Sequence, residues 1–191
     1  LVTFTIIGTS PLIQHKWSEK AKKQIRDKKL GIKAGKVRDA LDMEKEFQDA
    51  TYTTENDEYG IPILAFKSSL IGAAHKDIGI EKTLIKKSLF VPCSDSGMIV
   101  PMQCDDPIMR EDYVRVGMSG TDLRYRPEFR SWAVEITAEI EADALSVETL
   151  LTLIDRAGFG VGIGEWRPEK GGEYGRFKVD PNKPINVEVI K

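Results

Sequence analysis

The stretch Trp132-Ala-Val-Glu-Ile-Thr-Ala-Glu-Ile140 alternates strictly. Trp132, Val134, Ile136, Ala138 and Ile140 share one side; Ala133, Glu135, Thr137 and Glu139 share the other. A period of two over nine residues predicts a strand with one buried face. Ser146 is placed to N-cap a following helix. Val147, Leu150, Leu151 and Ile154 then recur at i, i+3, i+4 and i+7, which is one helical face. Gly158 stands where a helix C-cap glycine belongs. The run Gly158-Phe-Gly-Val-Gly-Ile-Gly164-Glu-Trp-Arg-Pro168 and the pair Gly171-Gly172 follow, then a short strand over Tyr174 to Val179. Strand, helix and strand make half of a ferredoxin-like unit, joined by a backbone that must pass close to something.

The rest of the chain bounds what surrounds this unit. Its 191 residues, 41% hydrophobic and 30% charged, suit a single domain, 1–191, carrying an insertion or two. The net charge of −2 excludes a polycation, so any nucleic-acid contact must come from a local patch. Cys93 and Cys104 are the only cysteines, too few for a disulfide framework and without a CxxC pair. A reducing, cytoplasmic setting is expected. No apolar run approaches the ~18 residues of a membrane span, and no signal peptide is evident. No metal and no cofactor are expected, since no His/Cys/Asp/Glu cluster has ligand spacing.

Val2 to Ile7 predicts the first strand, ended by Gly8-Thr-Ser-Pro11. An insertion over about 14–58 follows, in two blocks of opposite sign. Lys16 to Arg38 holds ten Lys/Arg against Glu19 and Asp27; Asp39 to Glu58 holds eight carboxylates against Lys45. Trp17, Ala21 and Ile25 recur every four residues, a thin stripe that would dock a short basic helix, and Gly31 and Gly35 break it. Such blocks are ordinarily a solvated, partly mobile insertion; a phosphate-binding arm is the functional alternative. Tyr59-Gly60 predicts a turn. Ile61-Pro62 opens a helix that buries Ile63, Phe66, Leu70, Ala73 and Ala74, turns Lys67, Ser68 and Ser69 mostly outward, and ends at Gly79. A strand is predicted near Leu84 to Val91. A second insertion, about 93–129, holds strand-like pieces at Met98 to Gln103 and Tyr113 to Met118 and reads as a projecting hairpin.

Without the insertions the order is βαββαβ, so the predicted fold is α+β: a ferredoxin-like or RRM-like core with a helical insertion after the first strand and a β-hairpin before the third. At this point the chain resembles the RAMP superfamily of CRISPR-associated proteins, above all the backbone subunit that polymerises along guide RNA. Ile61-Pro-Ile-Leu-Ala-Phe-Lys67-Ser-Ser-Leu70 is similar to that family's first-helix start. Gly158-Phe-Gly160 through Gly175 is similar to its glycine-rich loop, and the two insertions fall where the family has its own, the second as a "thumb". The likeness spans nearly the whole chain as a pattern. Where some backbone subunits carry an aspartate that cleaves target RNA, the loop after the first strand offers Ser10, Gln14 and His15, so cleavage is not implied. A free-standing relative from a phage or another mobile element fits as well as an effector subunit.

The resemblance implies sequence-independent binding of single-stranded nucleic acid, RNA before DNA, by a chain that multimerises along it, alone or with other CRISPR-type subunits. Such binding needs cations along a groove and flat groups for bases. The candidates are Lys16, Lys20, Lys23 and Arg26 in the first insertion, Lys67 on the first helix, Arg115, Arg124 and Arg126 in the hairpin, and Arg167 and Lys170 after the glycines. Trp17, Tyr125 and Trp166 are the candidate stacking groups, and Gly160 and Gly162 would let backbone N–H groups reach phosphates. The glycine run is neither a dinucleotide fingerprint nor a P-loop: it follows a helix, leads into a strand, and has no Gly-Lys-Ser/Thr. Two other readings stand beside this one. A metal-independent RNA endonuclease would use His15 or His75 near neutral pH; with no aspartate partner fixed by motif, catalysis is not the expectation. A self-assembling protein without nucleic acid would join the opposite charge blocks head to tail.

Overall fold

The computed structural model describes residues 1–17, 19–32, 42–116 and 120–190. Strands β1 (Val2–Gly8) and β2 (Leu12–Ile13) lead to helices α1 (Glu19–Lys29) and α2 (Met43–Ala50). Next come β3 (Gly60–Pro62), α3 (Ile63–Ile78), α4 (Lys82–Ser88) and β4 (Leu89–Phe90). Short β5 (Ile99–Pro101) and β6 (Gln103–Cys104) precede a long hairpin of β7 (Ile108–Val116) and β8 (Gly120–Phe129). Then follow β9 (Trp132–Ile140), α5 (Val147–Gly160), β10 (Phe177–Val179) and β11 (Asn186–Val187). The protein is α+β.

The main sheet runs β10-β1-β9-β4, with β11 also on β1 and β6 also on β9, all antiparallel. Its register sets Val2 opposite Ala138, Phe4 opposite Ile136 and Ile6 opposite Val134, so the apolar halves of two alternating strands coincide. All six are buried in one core with Phe66, Leu70 and Ala73 of α3 and Leu150, Leu153 and Ile154 of α5. Phe66 stands between Phe4 and Phe177, at 6.1 and 6.0 Å between ring centroids. Each such ring is worth roughly 1.5–3 kcal/mol of burial. The sheet's other face is polar: Thr3 and Thr137 hydroxyls meet at 2.9 Å, and Glu135 and Glu139 are exposed.

The alternation over 132–140 is borne out, as are the Ser146 cap, which accepts from the Thr149 N–H, and the end of α3 at left-handed Gly79. Other expectations are corrected. Gly158 lies inside α5, which ends in a cap at Val161; its missing side chain lets the Phe177 carbonyl of β10 approach the helix. Pro62 is the N-cap of α3, and Tyr59-Gly60 is not a free turn, because Gly60 to Pro62 pairs with β5. Ser69 is buried and donates to the Ala157 carbonyl at 3.4 Å, tying α3 to α5. Residues 82–88 are helix, and the strand shrinks to Leu89–Phe90. The strand expected from Tyr174 is β10 and starts at Phe177, and β11 follows it.

The insertions also differ from expectation. Trp17 and Ile25 do not dock: they are 59% and 42% exposed. In the acidic block, Met43 to Ala50 is a helix capped by Asp42, packed on β8. Its sequence signal is an aspartate before a short amphipathic run. Lys33, Gly35, Lys36, Arg38, Asp39 and Met118 lie outside the described residues. Within the second insertion, Ile99–Pro101 pairs with β3 and Gln103–Cys104 with β9, while β7 and β8 pair with each other and add to β2 as a sheet β2-β8-β7. Among the described residues, no helix is long and apolar enough to cross a membrane.

Candidate nucleic-acid interface

Three segments distant in sequence meet beside β2: the end of the first-strand loop, the hairpin, and the loop after α5. Gln14 anchors the first. Its buried amide donates to the Gly60 carbonyl at 2.8 Å and accepts from the Tyr52 N–H at 2.9 Å, which fixes the insertion against β3. The glycine-rich loop crosses the same place. Gly164 has φ 78° and lies against Ile13, and the Glu165 N–H donates to the Ile13 carbonyl at 2.9 Å. Gly175 has φ 64°, is packed on the Ile163 carbonyl, and donates to Pro11 at 2.7 Å. The close object is therefore the chain itself. The Gly162 N–H is used on Ala157, so this glycine is buried structure rather than an open anion nest, while Gly160 is exposed at the end of α5.

The loop presents Trp166. Its backbone is left-handed at φ 49°, which costs a non-glycine residue roughly 1–2 kcal/mol. The cost is offset by Gly172, which packs under the Trp166 carbonyl, and by the Tyr174 N–H that donates to it at 3.1 Å. The indole is 37% exposed and 6.0 Å from the Tyr174 ring. The Arg110 guanidinium lies 5.0 Å from the Trp166 centroid and 5.1 Å from that of Tyr174, held by Asp112 at 2.9 Å and Glu128 at 2.6 Å. Behind it, Arg126 and Asp112 form a buried pair at 3.5 Å, and Arg126 is 3.7 Å from Glu165.

A cleft of about 190 Å³ opens between these segments, lined by Leu12, His15, Tyr52, Ile61, Ile163 and Glu165 among others. Arg124 Nη1 stands 3.2 Å from His15 Nε2. Burial, then the charges of Arg126 and Arg124, push the His15 imidazole below its usual pKa. Burial and the Glu165 charge push the Tyr52 phenol up, while Lys22 acts on it the other way. The basic arm thus begins beside the cleft, with the Lys16 ammonium 5.9 Å from the Tyr52 ring centroid.

The sequence-based candidates scatter across this picture. Trp166, Arg124, Arg126 and Arg167 come together at the three-segment junction, but Arg126 is buried in ion pairs, and Arg167 is held by Glu169 at 2.7 Å and the Gly164 carbonyl at 3.0 Å. Tyr125 is buried, its hydroxyl donating to Glu111, so its ring is not presented for stacking. Lys23 and Arg26 are exposed on α1; the Lys20 side chain lies outside the described residues. Arg115 and Lys170 are exposed, and His75 is exposed on α3. Lys67 is apart from the junction. Its ammonium donates to the Leu89 and Lys86 carbonyls at 2.6 and 3.3 Å and lies over Phe90, so it caps α4, with its pKa lowered by burial.

Sequence reasoning missed Tyr52, Arg110, Asp112, Glu128, Glu165 and Tyr174. Arg110 and Asp112 did leave a trace, since they fall on one face of β7 at a period of two. No protein-family model matches the sequence, and no curated protein matches it.

Proposed function

We propose that the chain binds single-stranded nucleic acid, RNA before DNA, and multimerises along it. The observation that carries the reading is Trp166, partly exposed and held in a left-handed backbone, with Arg110 lying over both it and Tyr174 at a junction where the basic arm begins. Flat groups with adjacent guanidinium and ammonium charge are what a sequence-tolerant strand binder requires. Exposed Lys23, Arg26, Lys28 and Lys29 on α1 extend that charge outward. The open sheet face is no part of the surface, because exposed Glu135 and Glu139 would repel phosphates.

We read the core as ferredoxin-like and related to the RAMP superfamily. Counting only β1, β4, β9 and β10, the strand order is fourth-first-third-second, with α3 and α5 as the two crossovers. One insertion follows the first of these strands and the other lies between the second and third. Assembly of copies is supported by two exposed apolar regions, Ile185, Val187, Val189 and Ile190 near β11, and a groove of about 370 Å³ with Leu64, Phe90 and Met98.

The test is light scattering with the 260/280 nm ratio recorded, on protein purified at low and at high salt, followed by nuclease digestion. Large particles that protect RNA fragments and fall to bare protein at high salt support the proposal. Large bare particles at both salts would replace it with self-assembly alone.

A further inference from the structure

We infer that the C-terminal edge of the main sheet, Ile185 to Val189, pairs antiparallel with the same edge of a second copy, about a two-fold axis through Val187. The contact needs no nucleic acid, so it stands apart from the strand-binding reading above. The register of β11 leaves this edge open. The Glu188 N–H donates to the Leu1 carbonyl at 2.9 Å, and the Leu1 nitrogen donates to the Glu188 carbonyl at 2.7 Å. Val187 is opposite Val2, and Asn186 is opposite Thr3. Antiparallel pairing alternates, so the backbone groups of Asn186 and Glu188 face β1, and those of Ile185, Val187 and Val189 face outward. The side chains of these three residues share one face and are exposed.

Residues 185–190 lack the proline and lysine that ordinarily guard an edge. Two other edges are guarded. At β4 the Leu89 carbonyl is taken by the Lys67 ammonium at 2.6 Å, and Pro92 brings no N–H. The outer hairpin strand β7 carries Arg110, Glu111, Asp112 and Arg115. A second copy is the occupant because the segment is its own complement. With Val187 on the axis, Val187 faces Val187, Ile185 faces Val189 and Asn186 faces Glu188 of the second copy. Apolar then meets apolar, and no like charges are opposed. Moving the axis to Glu188 would set two carboxylates opposite each other. Moving it to Asn186 would set Val189 opposite Lys183. The contact is isologous and closes as a dimer. One short edge is a small interface, so the dimer depends on concentration.

The experiment is sedimentation velocity on the full chain, freed of nucleic acid at high salt, from ~10 μM to ~1 mM. It is repeated on Val187→Lys and Val187→Glu, each alone and the two mixed in equal amounts. The native chain is expected to pass from monomer to dimer as concentration rises. Each variant alone should dimerise about tenfold more weakly, because like charges then meet across the axis. Thermal melts should match the native chain, since Val187 is exposed. The mixture should recover the dimer, because lysine then faces glutamate. A native chain that stays monomeric, a dimer indifferent to both variants, or a mixture that stays monomeric overturns the inference. Larger bare particles overturn it in favour of head-to-tail joining. Binding of labelled RNA is scored separately. A dimer that binds no RNA removes only the strand reading, and a monomer that binds RNA removes only this contact.

Discussion

The core helix α3 and the arm helix α1 contain similar ingredients and behave in opposite ways. Each has apolar residues at helical spacing, but α3 buries Phe66, Leu70, Ala73 and Ala74 completely, while Ile25 of α1 and the neighbouring Trp17, Leu30 and Ile32 stay exposed. The difference lies in what flanks the stripe. In α3 it is wide and faces a sheet whose apolar half is in register with it. In α1 it is one residue wide and crowded by lysines, which gain nothing from burial and lose hydration. Periodicity tells which face would be buried; the charge beside it decides whether burial occurs.

The sharpest way to break this contrast is a paired truncation. Phe66→Ala should cost about 3–5 kcal/mol in urea melts, through lost transfer energy and the cavity left between Phe4 and Phe177. Trp17→Ala should change stability by less than about 0.5 kcal/mol. Equal effects would mean that the arm packs as tightly as the core. Next in size, Gly158→Ala should cost about 1–3 kcal/mol, because the new methyl meets the Phe177 carbonyl, which a β-strand cannot easily withdraw.

A smaller effect separates the cleft from the arm by pH. His15 has a lowered pKa in the folded protein, so the unfolded chain binds its proton first, near the ordinary value of 6.5. The stability contributed by keeping His15 neutral is complete above that value and is lost as pH falls below it. Chemical denaturation from pH 8 to 5 should show that loss, and His15→Gln should flatten it. An unchanged slope in the variant would place the acid sensitivity elsewhere.

Much of the core was legible from residues alone, because β9, α3 and α5 obey one period each and their caps are local. Ser146 and Gly79 are short-range signals and were found. Gly158 was misread because a glycine that ends a helix and a glycine that lets a strand cross it look alike in sequence; only the position of Phe177, 19 residues later, tells them apart. The site was less legible. Lys67 and Arg126 have the right chemistry for phosphate, but one caps a neighbouring helix and the other neutralises buried Asp112. Arg110 and Tyr174 form the platform only because the hairpin folds onto the glycine-rich loop, and no local spacing encodes that meeting.

The central claim is that a strand binds through Trp166 and the exposed cations of the basic arm. The most direct test is the salt dependence of binding to a labelled single-stranded RNA, measured for the native chain and for the Lys23→Gln/Arg26→Gln variant. The account predicts that log affinity falls linearly with log salt, and that the variant lowers the slope by about 0.7 per lost phosphate contact without loss of stability. No binding at low salt, or an affinity indifferent to salt, would contradict it.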